Sequence, residues 1–133
     1  METQNDKFSI EQRVKSVGHA VRGLTLFFKT THNAWVQIII GTCAVALGIY
    51  VNLTTIEWLF LVCAIGLVLV AEAFNTAIEI DIDLTSPEFH PYARDTKDVA
   101  AGAVLLAAMT AVVIGALVFV PHLLLQIIWI VKR

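Results

Sequence analysis

The 133-residue chain is 58% hydrophobic and only 15% charged, a balance that excludes an ordinary water-soluble globular domain. Its formal net charge of -2 offers no basic field of the kind that nucleic acid requires. Cys43 and Cys63 lie in apolar runs without Cys-x-x-Cys or Cys/His spacing, so neither a disulfide framework nor a zinc site is predicted.

The first predicted element is an amphipathic helix over residues 8–30. Ser9 and Gln12 have the spacing of a capping box, and apolar residues then recur every three or four positions from Ile10 to Phe28, with basic residues on the other faces. The pattern is typical of a helix in a membrane interface, although a surface helix of a globular protein has it too. No continuous apolar stretch of a signal peptide forms here, so we expect the N-terminus to be retained.

Two antiparallel spans are predicted next, over residues 34–51 and 56–83. The first is an uncharged run of 18 residues, which at about 1.5 Å per residue comes close to crossing the hydrocarbon of a bilayer. The turn between the spans is very short, and Thr54 with Glu57 supplies a second capping box, so the second span begins almost immediately and runs antiparallel to the first. The second span is wholly apolar over residues 58–71 and then becomes polar without a glycine or proline to end the helix.

A loop, a third span and a tail complete the predicted chain. Two prolines with neighbouring polar residues indicate a loop within residues 84–98, and residues 99–120 form an apolar run that Pro121 is expected to close. Residues 121–133 are expected to lie along the opposite interface. The predicted fold class is therefore an all-α integral membrane protein with one interfacial helix and three transmembrane helices.

The distribution of basic residues predicts the orientation. Five Lys and Arg residues precede the first span and two lie in the loop before the third, against two at the C-terminus. This excess places the N-terminus and the loop in the cytoplasm, with the chain in the inner or plasma membrane. The third span carries small residues four positions apart that let helices approach closely in lipid, namely Ala103, Ala107, Ala111 and Gly115. Since three helices enclose little, we expect the chain to form oligomers.

Acidic and amide side chains form a stripe on the second span. Its members, spaced three, four and four residues apart on one helical face, are Glu72, Asn75, Glu79 and Asp83. Carboxylates on a membrane helix are costly and are retained mainly where they have a function, but a helix that has emerged into water would carry them as a solvated face. Glu72 follows fourteen uninterrupted apolar residues, too few to cross about 30 Å, so we expect it at or just inside the interface.

A second set of charges, in residues 93–98, comes directly before the third span. Together with the acidic stripe it supplies the residue types that phosphoryl transfer needs: metal ligands, a cation and a base that orients the acceptor. Many ion-pair clusters have the same composition. The sequence contains no glycine-rich phosphate loop of the Walker or protein-kinase kind, so a kinase with this sequence must bind nucleotide in another way.

Two motifs in these segments resemble a known family. Residues 72–79 read E-A-F-N-T-A-I-E and residues 93–105 read A-R-D-T-K-D-V-A-A-G-A-V-L. They are similar to the E-x-x-N-[ST]-A-I-E and A-[RK]-x-x-K-D-x-x-[AS]-[GA]-A-V-L signature of the prokaryotic diacylglycerol kinase and undecaprenol kinase family. The resemblance implies a homotrimer of three-span protomers with shared active sites. It also implies transfer of the ATP γ-phosphate, with Mg²⁺, to a membrane lipid alcohol, either diacylglycerol or undecaprenol.

The resemblance further implies roles for individual residues. Glu72 would be the general base and Glu79 a metal ligand. The nucleotide or its phosphates would be contacted by Asn75, Asp83, Glu88, Lys97 and Asp98. Simpler structural alternatives are that the Asn75 amide only caps or packs, and that Lys97 and Asp98 only anchor the N-terminus of the third helix.

One departure from the family pattern bears on metal binding. Where the family has T-E-x-N-x-x-[IV]-H before the first span, residues 30–37 read T-T-H-N-A-W-V-Q, so Thr31 stands in place of an acidic metal ligand. A hydroxyl is a much weaker ligand for a hard cation than a carboxylate, and the imidazole of the adjacent His32 suits Mg²⁺ poorly. The alternative prediction is a catalytically impaired family member that acts as a membrane metal-binding, nucleotide-binding or assembly protein.

Overall fold

The computed structural model describes residues 9–132, which form four helices joined by short connections. In chain order these are α1 (Ile10–Thr30), α2 (His32–Tyr50), α3 (Thr55–Thr85) and α4 (Pro91–Val131). Helices α2, α3 and α4 are each long and apolar enough to cross a membrane. The predicted class, an all-α chain with three membrane-spanning helices, is therefore confirmed.

Helix α1 carries the apolar stripe that the sequence predicts. Ser9 is its N-cap residue, but the Ser9 side chain makes no capping hydrogen bond, so the predicted capping box is not formed. The stripe is exposed along its length, from Ile10 at 72% to Leu24 at 54%. No other part of the described chain covers it, so burial of this stripe needs lipid or a second chain. The predicted first residue of the helix, residue 8, lies outside the described residues.

A tight turn returns the chain from α2 to α3. Asn52 has a φ of 56°, in the left-handed region that asparagine tolerates better than most residues. Thr54 then caps α3: the Glu57 N–H donates to Thr54 Oγ1 at 3.4 Å, and the Thr54 N–H donates to Glu57 Oε2 at 2.8 Å. The capping box predicted at this position is confirmed, and it explains why α3 begins within a few residues of the end of α2.

The apolar core lies beside this turn. Val51, Leu53, Leu61 and Val118 form one buried cluster, with partly buried side chains of α2, α3 and α4 packed around it. Helix α3 packs more extensively against α4 than against α2. Elsewhere the helices present apolar side chains outward, as expected of helices that face lipid. We call this end of the bundle the turn end, and the opposite end, where α1 meets α2, the cleft end.

Helix α4 begins earlier than the sequence predicts. The loop predicted over residues 84–98 is reduced to residues 86–90, because α3 continues to Thr85 and α4 starts at Pro91. Proline suits the first position of a helix, where its missing N–H has no intrahelical partner to lose. The His90 carbonyl accepts the first helical bond, from the Arg94 N–H at 3.1 Å. Lys97 therefore lies on a helix and not in a loop.

Helix α4 also ends later than predicted. It passes through Pro121 and continues to Val131, so the expectation that Pro121 closes the helix is wrong. Proline removes one backbone hydrogen bond, but the residues on both sides of Pro121 keep their helical conformation. Proline is tolerated inside membrane helices. The predicted interfacial tail, residues 121–133, thus continues α4, with Arg133 outside the described residues. The depth at which α4 enters and leaves a membrane stays a prediction.

Candidate active site

A polar cleft of about 330 Å³ lies at the cleft end, between the α1–α2 junction and α3. The junction contributes the end of α1 and the start of α2, and α3 contributes one face of about its last four turns. The residues that line the cleft are Thr30, Thr31, His32, Asn33, Glu72, Asn75, Thr76, Glu79, Ile80 and Asp83. All four members of the predicted acidic stripe therefore open into one cavity, as their spacing on the helix requires.

Glu72 is the most deeply buried of these side chains, with only 2% of its surface exposed. Its carboxylate is not isolated, because Gln37 Nε2 on α2 donates a hydrogen bond to Glu72 Oε2 at 3.0 Å. A buried carboxylate without a partner would be strongly disfavoured, and this bond offsets part of that cost. The motifs predict no role for Gln37, although it is the one amide side chain within the predicted span of residues 34–51.

Asn75 and Glu79 form a second contact one turn further along α3. Asn75 Nδ2 donates to Glu79 Oε1 at 2.9 Å, and Asn75 is buried while Glu79 is exposed. The other amide atom, Asn75 Oδ1, is buried and has no hydrogen-bond partner within residues 9–132. Asn75 lines the cleft, and a side chain there that carries an unpaired acceptor is suited to a ligand. Its role stays a prediction.

The α1–α2 junction is tied to α3 by two hydroxyl groups. Thr31 Oγ1 lies 2.9 Å from Thr76 Oγ1, and Thr76 Oγ1 lies 3.0 Å from the Glu72 carbonyl oxygen. On the other side of the junction, Trp35 Nε1 donates to the Phe28 carbonyl at 2.9 Å. Thr31, at the position where the sequence departs from the family pattern, therefore ties the α1–α2 junction to the helix that carries the acidic stripe.

The remaining predicted residues lie in the lining of a second cavity of about 310 Å³ between the end of α3 and the start of α4. We call it the charged pocket after its charged side chains. Its lining includes Asp83, Glu88, Lys97 and Asp98. Lys97 Nζ forms an ion pair with Asp83, which joins α3 to α4, and Arg94 Nε lies 3.6 Å from Asp98 Oδ2 on the same helix. Asp83 lines both cavities, so the charged pocket adjoins the cleft at this carboxylate.

The donor atoms of the cleft suit a hard cation that arrives with a nucleotide. The described residues contain no group of three or more His, Cys, Asp or Glu side chains placed to hold a metal by themselves. The cleft offers the carboxylates of Glu79 and Asp83 and the unpaired Asn75 Oδ1. Mg²⁺ is commonly bound by one or two carboxylates together with substrate phosphates and water, so these oxygens fit Mg²⁺ without forming a complete cage.

Comparison with known proteins decides the family. A sequence profile described as prokaryotic diacylglycerol kinase matches residues 18–119 of the chain. The chain belongs to this family. The match extends from α1 to α4 and includes the residues that line the cleft and the charged pocket. The family predicted from the two sequence motifs is therefore confirmed.

Individual relatives give the same result. The chain is 34% identical over 123 residues to the undecaprenol kinase of Bacillus subtilis, which covers 92% of this chain and 100% of the relative. It is 36% identical over 110 residues to the diacylglycerol kinase of Synechocystis sp., covering 82% of this chain and 63% of the relative. The diacylglycerol kinase of Escherichia coli (strain K12) is 24% identical over 118 residues, 89% of this chain and 97% of that protein. Membership in this family makes the protein a membrane-embedded lipid kinase.

Proposed function

We propose that the protein transfers the γ-phosphoryl group of ATP to the hydroxyl group of a membrane lipid alcohol, diacylglycerol or undecaprenol, at the cytoplasmic interface. The observation that carries this proposal is the position of Glu72, a buried carboxylate in the same cleft as the exposed Glu79. A lipid hydroxyl needs a base that is shielded from water, and a nucleotide phosphate with its metal needs a carboxylate that is open to water.

The two carboxylates are separated in the direction that the reaction requires. Glu72 and Glu79 are seven residues apart, or about 10 Å along the axis of α3. Glu72 lies deeper in the bundle, where it can meet the hydroxyl of a lipid, and Glu79 lies nearer the polar end. This order brings a membrane-bound acceptor to the base and a water-soluble donor to the acid.

Glu72 acts as the general base in the proposed step. The proton of the lipid hydroxyl moves to the Glu72 carboxylate while the hydroxyl oxygen forms a bond to the γ-phosphorus. The bond from that phosphorus to the bridging oxygen breaks, and its electron pair leaves with ADP. The buried setting keeps water away from Glu72, so that water competes poorly with the lipid as acceptor.

The nucleotide is held by the charged pocket and the outer part of the cleft. Lys97 would offset the negative charge of the phosphates, Glu79 and the Asn75 amide oxygen would hold Mg²⁺, and the other proposed nucleotide contacts are Asp83, Glu88 and Asp98. When bound, Mg²⁺ would neutralise charge on the phosphate oxygens. The ion pair between Lys97 and Asp83 orients the lysine before any phosphate is present.

The protein is proposed to work as a homotrimer in the inner or plasma membrane, with its N-terminus in the cytoplasm. The excess of basic residues before the first span and in the α3–α4 connection supports this orientation. The exposed apolar faces of α2, α3 and α4 supply surface for protomer contacts. Site sharing between protomers follows from the family resemblance, and native mass spectrometry of detergent-solubilised protein tests the trimer.

A second candidate function is that of a non-catalytic membrane protein that binds Mg²⁺ and nucleotide. The observation that favours it is Thr31, whose hydroxyl is occupied by Thr76 and which brings no negative charge to the cleft. This candidate predicts nucleotide binding that depends on Mg²⁺ together with no phosphorylated lipid.

The test is phosphate transfer by purified protein in mixed micelles that contain Mg-ATP and either diacylglycerol or undecaprenol, with the lipid product identified by mass spectrometry. Glu72→Gln and Glu79→Gln are each expected to lower turnover by about 100-fold or more. Glu11→Gln on α1, where Glu11 forms an ion pair with the exposed Lys15 far from the cleft lining, is the matched control and should retain full activity. Product formation that is unchanged in Glu72→Gln would remove Glu72 from the mechanism.

A further inference from the structure

Gln37 makes one side-chain contact that crosses between two membrane helices. Its Nε2 atom on α2 donates to Glu72 Oε2 on α3 at 3.0 Å, over a sequence separation of 35 residues. Its other amide atom, Oε1, is buried and has no hydrogen-bond partner in the part of the chain that the structure describes. An unpaired carbonyl in a protein interior is unfavourable, and an apolar side chain at this position would avoid that cost. The presence of an amide therefore calls for an explanation.

The surroundings of Gln37 show that this amide is placed for Glu72. Gln37 lines an apolar cavity of about 320 Å³ between α2, α3 and α4, which lies beside the cleft that contains Glu72. Among the residues that line the apolar cavity, Gln37 alone has a polar side chain. Neither that cavity nor the neighbouring hydrocarbon groups offer the amide another partner, so Glu72 is the group that orients it and is oriented by it.

We infer that Gln37 is a positioning residue that holds the carboxylate of Glu72 in the orientation needed for proton transfer; this inference rests on the proposed role of Glu72 as the base. Because Gln37 Nε2 engages Oε2, the other carboxylate oxygen, Oε1, is left to accept the proton of the lipid hydroxyl. The bond to Gln37 limits rotation of the carboxylate, and small errors in such an orientation reduce rates strongly.

The bond from Gln37 also suits the product of the proton transfer. As the lipid oxygen bonds to the γ-phosphorus and ADP leaves with the electron pair of the broken bond, the lipid proton ends on Glu72 Oε1. Glu72 Oε2 remains an acceptor in the neutral carboxyl group, so Gln37 Nε2 can donate to it before and after the transfer. Gln37 thus serves both the charged and the neutral form of Glu72.

Two substitutions separate this role from simple packing. Gln37→Met keeps the length of the side chain but removes both hydrogen-bonding atoms, and Gln37→His restores a ring N–H that can donate. In the mixed-micelle assay, Gln37→Met is expected to lower kcat by about 10- to 100-fold and to leave the KM for ATP within about twofold of the wild type. Gln37→His is expected to recover most of the lost kcat. Thr42→Val on the same helix is the control, since Thr42 only donates to the Ile38 carbonyl within α2.

Binding of a non-hydrolysable Mg-ATP analogue and the thermal unfolding midpoint of each variant complete the experiment. The inference is overturned if Gln37→Met turns over as fast as the wild type. It is also overturned if Gln37→Met loses nucleotide binding and thermal stability in proportion to kcat and Gln37→His restores nothing, because Gln37 would then only tie α2 to α3. A wild-type protein that phosphorylates neither lipid alcohol would refute the proposed function instead, a result that the Gln37 variants cannot mimic.

Discussion

Replacing Gly48 by alanine tests how closely α2 approaches the start of α3 at the turn end. A Cβ atom at this position would lie 2.9 Å from Leu53 Cδ1 and 3.0 Å from Trp58 Cη2. Carbon atoms pack best at about 3.5–4.0 Å, so both neighbours must retreat by about half an ångström or more. Leu53 belongs to the buried cluster and the indole ring of Trp58 is rigid, so neither can move without disturbing the core.

The expected cost follows from two opposing contributions. Forcing an extra methyl group into a packed core costs about 1–3 kcal/mol, whereas replacing a helical glycine by alanine recovers about 0.4–1 kcal/mol. We expect a net decrease of about 1–2 kcal/mol in the free energy of unfolding, seen as a Tm lower by several degrees when helix content is followed by circular dichroism in detergent.

Gly18 provides the matched control for this experiment. Nothing lies within 4 Å of a Cβ built on Gly18, so Gly18→Ala changes helix propensity without a steric conflict and should leave the Tm unchanged or raise it. A Gly48→Ala protein as stable as the wild type would show that Leu53 and Trp58 have room to relax, and the close approach of α2 to α3 would then not depend on this glycine.

The remaining predictions concern the cleft and the charged pocket. Thr31→Glu places a carboxylate beside the proposed metal ligands. It is expected to lower the Mg²⁺ concentration for half-maximal activity by at least about threefold. Thr25→Glu adds the same charge on α1 away from the cleft and should leave that concentration unchanged. Lys97→Met removes the cation that pairs with Asp83 and is expected to raise the KM for ATP by about 10-fold or more, with Lys15→Met unchanged. An unaltered KM in Lys97→Met would restrict this lysine to joining α3 and α4.

Short-range patterns predicted most of the fold. The capping box at Thr54 depends on residues three positions apart, and the acidic stripe from Glu72 to Asp83 depends on helical periodicity, so both could be derived from neighbours in sequence. The prolines were harder to interpret, because the same residue starts a helix or interrupts one according to its surroundings. The local pattern predicts a loop around Pro91, which begins α4, and a helix end at Pro121, which lies inside α4.

Contacts between segments that are far apart in the sequence could not be predicted from local patterns. Helix α2 is apolar on nearly all its faces, so periodicity does not indicate which face turns toward α3, and the bond from Gln37 to Glu72 depends on that rotation. The hydroxyl pair of Thr31 and Thr76 likewise requires the α1–α2 junction to meet α3 at one level. The predicted residues around Lys97 come together because α4 begins at Pro91, which brings its first turns beside the end of α3.

The length of α2 relates the depth of the proposed base to the thickness of the membrane. With 19 residues α2 is about 28 Å long, so an upright α2 occupies almost the full apolar thickness of a bilayer and puts His32 and Tyr50 at its two boundaries. Gln37 lies five residues in from His32, about 8 Å below that boundary, and Glu72 is held at the same depth by the bond between them. If Glu72 is the base, as proposed, a thicker or thinner bilayer would shift the substrate hydroxyl relative to this level, and we expect turnover to depend on bilayer thickness.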